Sequence, residues 1–215
     1  QLLSGQPVKR HYSIVVVIKK ITQQDGKNTR KNIGRIENNV TRCDYVIDDL
    51  FYFTDNQTII LSQQHHDKLI DHINNEYKIP AQINCTCDLN LKDQYINIDA
   101  TKIQRAITNA LNNASQAIQS NEDPAFQAEI SIKTFSSDGR VTIEIQDNGI
   151  GIAESNLDKI FEPLFSTKNF GVGLGLPIIK KIFEQHNGGV IVNSSIGSGT
   201  RLSLWLPDEL FDNKN

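Results

Sequence analysis

Three stretches decide the fold of this 215-residue chain: Asn109-Ala-Leu-Asn-Asn113-Ala, Asp147-Asn-Gly-Ile-Gly-Ile and Gly171-Val-Gly-Leu-Gly-Leu176. Each stretch alone is a weak signal, because asparagine is abundant here and short glycine patterns arise by chance in many loops. Their order along one chain is far more informative. Together they indicate a single site for a nucleotide and its metal ion.

The chemistry of each stretch suits one part of such a ligand. Two asparagines four residues apart lie on one helix face, where amide oxygens suit a hard cation such as Mg²⁺. An Asp-x-Gly-x-Gly sequence at the end of a strand offers one carboxylate acceptor and two positions where backbone can approach a flat ring, which suits adenine. The third stretch opens a helix predicted over 174 to about 186, whose first amides are free to bind phosphate.

These motifs resemble those of the ATP-binding domain of sensor histidine kinases, within the superfamily that also holds gyrase, Hsp90 and MutL. The resemblance covers roughly residues 58–207, and the nitrogen-regulator type is the most similar subgroup. An unrelated α/β domain with chance glycines is the alternative. Four further matches support the resemblance: Phe161-Glu-Pro-Leu-Phe165, Ser166-Thr-Lys168, Gly197-Ser-Gly-Thr200 and Leu204-Trp-Leu-Pro207.

The resemblance implies a role for each site residue. Asp147 would accept the adenine amino hydrogen, Asn113 would ligate Mg²⁺ and Asn109 would assist at the phosphates. Lys168 would close a lid over the β- and γ-phosphates, so Asn109 and Lys168 are the implied catalytic residues. Phe161 and Phe165 would anchor the lid in an apolar notch, and Thr200 would reach the adenine edge. The implied cofactor-binding set is Asn109, Asn113, Asp147, Gly149, Gly151, Phe165, Thr167, Lys168, Gly171, Gly173, Leu174, Gly175, Leu176 and Thr200.

Structural roles compete with these functional ones. An Asp before Asn-Gly commonly caps a turn, and Thr200 is suited to cap the turn formed by the last glycines. The two helix asparagines are alternatively solvated amides, and Lys168 an ordinary loop lysine.

Composition narrows the class of protein. The chain carries 22 Lys and Arg against 25 Asp and Glu, so a net charge of −3 gives no electrostatic footprint for nucleic acid. Its longest apolar run, at residues 14–18, is too short for a membrane span, and a cytoplasmic location is expected. Cys85 and Cys87 alternate with apolar residues, so buried core thiols are expected rather than a metal or redox pair. The chain begins at Gln1 and contains no Met, so we expect a fragment of a longer protein.

A helical hairpin is predicted for residues 1–56. Its second arm carries apolar residues at alternating three and four spacings, which is the seam of a coiled-coil-like bundle: Ile33, Ile36, Val40, Cys43, Ile47 and Leu50. Ile14, Ile18 and Ile21 give the first arm, residues 25–28 a turn and Thr29 a helix cap. One hairpin cannot bury this seam, so we expect a four-helix bundle in a homodimer. The segment resembles the dimerisation and phosphoacceptor domain of histidine kinases.

The phosphoacceptor histidine is not identified in this chain. The family's acceptor box aligns only with residues 2–8, which puts Leu2 where the histidine belongs. His11 falls on the spacing of the first arm and is expected to pack in the bundle. Three explanations stay open: the acceptor precedes Gln1, it has been replaced or omitted, or the box is degenerate.

Residues 57–215 are predicted to form the ATP-binding domain. The expected elements are a strand near 58–61, a helix over about 64–77, strands over 83–89 and 95–98, a helix over 100–119 and two later hairpins around Asp138-Gly139 and Gly197-Ser-Gly199. They sum to one mixed sheet with helices on one face. The whole chain is therefore α+β, a helical hairpin followed by an α/β sandwich.

The expected function is the cytoplasmic core of a two-component sensor histidine kinase that uses ATP and Mg²⁺. Its partners would be a second copy of the chain and the receiver domain of a response regulator. The principal alternative is an ATP-binding dimeric signalling scaffold with a degenerate acceptor box and no autokinase activity. An ATPase clamp of the Hsp90 or MutL kind is disfavoured, because the seam precedes the ATP domain and the lid is short.

Overall fold

The computed structural model describes residues 27–54, 58–91, 95–121, 123, 125–168, 171–208 and 211–212. The chain divides into two compact units, Gln1–Phe51 and Tyr52–Asn215. Within the described ranges, no helix is both long enough and apolar enough to cross a membrane. The predicted first arm of the hairpin, with Leu2, His11 and the turn residues Asp25 and Gly26, lies outside the described residues.

Helix α1 spans Lys27–Thr54. It contains the predicted second arm, and Ile36, Ile47 and Leu50 of the seam are 41–49% exposed in the single chain. Thr29 lies inside the helix, so the prediction that it caps the N-terminus is wrong. A turn predicted at residues 25–28 locates the start of a helix only to within a few residues. Lys27 and Asn28 of that turn already have helical backbone.

The main sheet of the second unit has five strands. They are β2 (Asn84–Leu89), β4 (Glu129–Ser137), β5 (Arg140–Asp147), β6 (Gly189–Ser195) and β7 (Gly199–Pro207), in the spatial order β2-β4-β5-β7-β6. Strands β2 and β4 pair in parallel, and the other neighbours are antiparallel and include the two predicted hairpins. Because β5 lies in the middle, its last residue, Asp147, is held by pairing on both sides.

Two helices cover this sheet. Helix α3 spans Ala100–Gln119, as predicted, and α5 spans Gly175–Gln185. Their apolar faces share one core with the inward residues of β5 and β7. Helix α2 (His66–Glu76) packs beside α3, and the short α4 (Glu154–Leu157) lies near β6. The apolar residues of α3 recur at helical spacing and are buried: Ile103, Ile107, Ala110, Leu111, Ala114 and Ile118.

A second sheet takes the place of part of the predicted single sheet. It is antiparallel and contains β1 (Ser62–His65), β3 (Tyr95–Ile98) and β8 (Phe211–Asp212) in the order β1-β3-β8. The strand predicted at 58–61 is therefore wrong, because pairing with β3 selects Ser62–His65. Ile60, in the apolar run that suggested the strand, is 77% exposed. The predicted helix start at residue 64 moves to His66 for the same reason.

The prediction of buried core thiols is also wrong in part. Cys87 is exposed and Cys85 is only half-buried, because β2 is an edge strand of the main sheet. Burial, with a smaller contribution from Cys87, raises the pKa of the Cys85 thiol to about 11. Within the described ranges, no cluster of three or more metal-ligating side chains is present.

Candidate functional site

The first residue of the candidate site is Asp147, the predicted adenine acceptor. It is the last residue of β5, its side chain is buried, and one carboxylate oxygen accepts the backbone N–H of Gly149 at 2.8 Å. Burial raises the pKa of this carboxyl group, while the N–H groups of Gly149 and Thr200 and the charge of Lys168 act in the opposite direction. The structure thus holds a desolvated hydrogen-bond acceptor in a fixed position.

The glycines after Asp147 are required by contacts within the protein. A Cβ atom on Gly149 would lie 2.6 Å from the backbone carbon of Ala117 on α3. Gly151 has φ +72°, and a Cβ there would overlap the carbonyl oxygen of Ser195. These glycines therefore allow segments of the protein to approach one another closely. Their predicted close approach to a flat ligand stays a prediction.

Thr200 lies opposite Asp147 in the β5–β7 register. Its hydroxyl is 3.0 Å from the Ser194 hydroxyl, which also contacts the Gly199 carbonyl oxygen and accepts the Ile152 N–H. Ser194 is absent from the predicted set, because a serine in a strand carries no signal of its own. The pair of hydroxyls ties the glycine turn to the loop after Asp147.

The two predicted asparagines lie one turn apart on α3, and both are half-buried. Asn109 Nδ2 is buried and has no hydrogen-bond partner among the residues that the structure describes. Asn113 Oδ1 lies 3.5 Å from Lys168 Nζ, and a Cβ on Gly175 would lie 3.4 Å from Asn113 Nδ2. Helix α3 therefore meets both the lid residue and the start of α5 at Asn113.

Lys168 reaches α3 through its ammonium group. Nζ donates to Gln116 Oε1 at 2.8 Å and more weakly to Asn113 Oδ1. Desolvation lowers the pKa of Lys168, partly offset by attraction to Asp147, although the residue as a whole remains exposed. Gln116 is absent from the predicted site residues, although its position three residues after Asn113 places it on the same helix face.

The start of α5 offers backbone donors. The helix begins at Gly175 after the buried Leu174, and no side chain caps it. The N–H groups of Gly175 and Leu176 therefore have no intrahelical acceptor. Gly173, with φ +73°, packs so tightly that a Cβ would lie 2.6 Å from the carbonyl carbon of Leu164. This contact fixes the segment that leads into the helix.

The remaining predicted residues lie in residues 161–168 and at Gly171, which together are called the lid segment. Phe161 and Phe165 are half-buried rather than part of the buried core, and Lys180 Nζ lies 5.4 Å from the centre of the Phe161 ring. Thr167 and Gly171 are exposed. The structure therefore brings Asn113, Lys168 and Gly175 together, and the nearby Asp147 carboxylate acts to raise the pKa of Lys168. The anchoring of the lid by Phe161 and Phe165 stays a prediction.

These residues fit ATP and Mg²⁺ chemically. The unpartnered Asn109 Nδ2 is a donor suited to a phosphate oxygen, and Asn113 Oδ1 is a hard oxygen donor of the kind that Mg²⁺ prefers. The ammonium of Lys168 and the free amides of α5 add positive potential at the same end of the site.

A known protein family matches the part of the chain that contains these residues. Residues 98–210 match the family described as histidine kinase-, DNA gyrase B-, and HSP90-like ATPase. The chain belongs to this ATPase family. The matched segment contains α3, both later hairpins, the lid and α5, so it includes every residue of the predicted site.

The curated relatives are kinases. The chain is 39% identical over 112 residues to sensor histidine kinase ZraS of Escherichia coli strain K12, which covers 52% of this chain and 23% of that protein. It is 35% identical over 118 residues to sporulation kinase B of Bacillus subtilis, which covers 55% of this chain and 26% of that protein. The chain thus spans about a quarter of the length of these relatives. The predicted resemblance to sensor histidine kinases is confirmed.

Solved structures show the same fold. The catalytic domain of histidine kinase ThkA aligns with a TM-score of 0.58 and 26% identity over 69% of this chain and 95% of that domain. A longer form, histidine kinase ThkA in complex with response regulator protein TrrA, aligns with a TM-score of 0.68 and 22% identity over 94% of this chain and 57% of that one. The predicted α+β class, helix followed by a sheet-based ATP-binding domain, is confirmed.

Proposed function

We propose that this chain is the catalytic core of a two-component sensor histidine kinase. It would bind Mg²⁺-ATP between α3, the end of β5, the lid segment and α5. The γ-phosphoryl group would pass to a histidine ring nitrogen, with ADP as the leaving group, and then to an aspartate of a response regulator. The observation that carries this proposal is the convergence of Asn113, Lys168 and the first turn of α5 at one end of a site that has the buried Asp147 at the other.

Each residue would have a separate task. Asp147 would accept the adenine amino hydrogen, and this selects adenine because guanine presents a carbonyl oxygen at the same position. Asn109 Nδ2 would donate to a phosphate oxygen, and Lys168 would neutralise charge as a mobile cation. Asn113 would hold Mg²⁺, which spreads the charge of the phosphates during transfer. Phosphoryl transfer depends chiefly on such positioning and charge neutralisation.

The proposed partners are a response regulator and a second copy of this chain, and the proposed location is the cytoplasm. Histidine kinase ThkA forms a complex with the response regulator protein TrrA, and this supports a receiver domain as the partner here. The exposed seam of α1 supports a homodimer through residues 1–56, with the ATP-binding domain over 57–215. The expected cytoplasmic location is retained as part of the proposal.

Incubation with γ-labelled ATP, Mg²⁺ and the regulator tests the kinase assignment. A kinase core yields acid-labile label on a histidine, which then moves to the regulator. Tight ATP binding without any acid-labile phosphoprotein would favour either an acceptor outside this chain or the dimeric scaffold, which is suggested by the poor match to the acceptor box at residues 2–8.

A further inference from the structure

The Lys168 ammonium group makes its shorter contact with Gln116, to which no role in the site is assigned above. Its distance to Gln116 Oε1 is 2.8 Å, against 3.5 Å to Asn113 Oδ1. Gln116 and Asn113 are three residues apart on α3, so both amide oxygens approach the ammonium from one helix face. The ammonium group of Lys168 therefore lies between two neutral acceptors, the side-chain oxygens of Gln116 and Asn113.

Helix α3 has no charge of its own in this region. Residues 106–120 contain no acidic, basic or histidine side chain, so the charged side chain beside Asn113 comes from another segment, and it is Lys168. A lysine has a long, flexible stem and loses considerable rotamer entropy when its ammonium is fixed at one point. An acceptor at hydrogen-bond distance offsets that loss, and Gln116 provides it.

We propose that Gln116 is a positioning residue for Lys168, which it holds beside Asn113 at the phosphate end of the site. This inference rests on the proposed binding of ATP. A neutral amide suits the task, because it fixes the ammonium without cancelling its charge. A carboxylate at the same position would form an ion pair with Lys168 and repel the phosphates of the nucleotide.

A double-mutant cycle in the 215-residue chain tests the proposal. Gln116→Met keeps the length of the side chain and removes the acceptor, Lys168→Met removes the ammonium, and the double variant removes both. Gln119→Met is the matched control, because Gln119 is an exposed glutamine on the same helix. Isothermal titration measures the affinity for ATP and for adenosine, which lacks the phosphates that Lys168 is proposed to contact.

We expect Gln116→Met to weaken ATP binding by roughly three- to tenfold, the range for a charge-assisted hydrogen bond at a partly exposed position. Adenosine affinity should change by less than about twofold, since a residue that only stabilised the fold would affect both ligands alike. The double variant should bind ATP no more weakly than Lys168→Met alone, because residues that act through one interaction are not additive. Gln119→Met should match the native chain, and Gln116→Glu should bind ATP more weakly than Gln116→Met.

Three results would overturn the proposal: an unchanged ratio of ATP to adenosine affinity in Gln116→Met, additive losses in the double variant, or no effect of Lys168→Met. In each case the native chain still binds ATP, so the proposed ATP-dependent kinase function survives, although no effect of Lys168→Met would remove Lys168 from the site. Failure of the folded native chain to bind ATP at all would instead refute the proposed function, and this inference with it.

Discussion

His186 accepts the backbone N–H of Asp99 through Nε2 at 3.0 Å, and its other ring nitrogen lies 2.7 Å from the Ile182 carbonyl oxygen. The buried ring is therefore neutral, with Nδ1 as the donor and Nε2 as the acceptor. The contact joins the end of α5 to the residue that caps α3. Two helices that frame the site are thus connected through one imidazole.

This connection predicts acid sensitivity. Desolvation lowers the pKa of His186, opposed by the Ile182 carbonyl and by Asp99, while nearby Lys102 lowers it further. Since the folded state binds the proton less readily than the unfolded state, the stabilisation is complete above the unfolded pKa, about 6.5. It is lost as the pH falls from there toward the lower folded pKa.

His186→Leu should therefore lose about 1–3 kcal/mol of unfolding free energy at pH 7.5 through the two lost hydrogen bonds. Between pH 7.5 and 5.5, the unfolding free energy of His186→Leu should also fall by less than that of the native chain. Urea unfolding at both pH values measures this. His72→Leu, at an exposed histidine on α2, is the control. An identical pH dependence in native and His186→Leu chains would contradict the prediction.

Asp147→Asn should abolish the preference for adenine. The amide can present a donor toward the adenine amino group, which also donates, and such a buried mismatch costs about 1–3 kcal/mol. Titration with ATP and with GTP measures the change, and Asp138→Asn in the exposed β4–β5 turn makes the same substitution away from the site. Unchanged ATP affinity and unchanged preference over GTP would remove Asp147 from the site.

Asn113→Ala should weaken binding of Mg²⁺-ATP about tenfold or more, on the scale of one lost metal or charged contact, while adenosine binding is spared. The reason is that the removed oxygen would hold the metal and lies beside Lys168 Nζ, whereas adenosine brings neither the metal nor the phosphates to this end of the site. Asn112→Ala is a close control, because the neighbouring Asn112 accepts the Tyr77 hydroxyl instead of facing Lys168. Equal losses for both ligands in Asn113→Ala would assign the residue a structural role.

Much of the second unit is predictable because its patterns are local. The 3.6-residue periodicity of α3 indicates the extent of the helix, and the strand predicted over residues 95–98 agrees with β3 at both ends. Strand β1 is misplaced by local patterns because its register depends on pairing with β3, which lies more than 30 residues away in sequence.

In the candidate site, too, local spacing predicts some contacts and not others. Spacing places Asn109 and Asn113 on one face of α3, but the contact between Lys168 and Gln116 joins residues 52 positions apart. No local pattern encodes such a contact. The motif around Gly149 predicts that another group approaches its backbone closely. It does not predict that this group belongs to α3.

The seam of α1 should be a dimer interface. Ile47→Lys places a charge in that seam and should produce a monomer at concentrations where the native chain is a dimer, because a buried charge without a partner is costly. Light scattering measures the change. Ile191→Lys is the control, since both isoleucines are 48% exposed in the single chain. A native monomer, or a dimer that tolerates Ile47→Lys, would refute the assignment.

His11 lies outside the described residues, and its predicted place on the bundle seam makes it unsuited to phosphoryl transfer, which requires a ring nitrogen in line with the γ-phosphate. His11→Gln should leave any autophosphorylation of this chain unchanged, with at most a modest loss of dimer stability. Loss of acid-labile label in that variant, with ATP binding and dimerisation intact, would make His11 the acceptor.

Titration of the native 215-residue chain with ATP in excess Mg²⁺ tests the central claim, that Asp147, Asn113 and Lys168 belong to one Mg²⁺-ATP site. We predict saturable binding of one ATP per chain that weakens when EDTA removes the metal. A folded chain that shows no saturable ATP binding, or binding that is indifferent to Mg²⁺, would contradict the account.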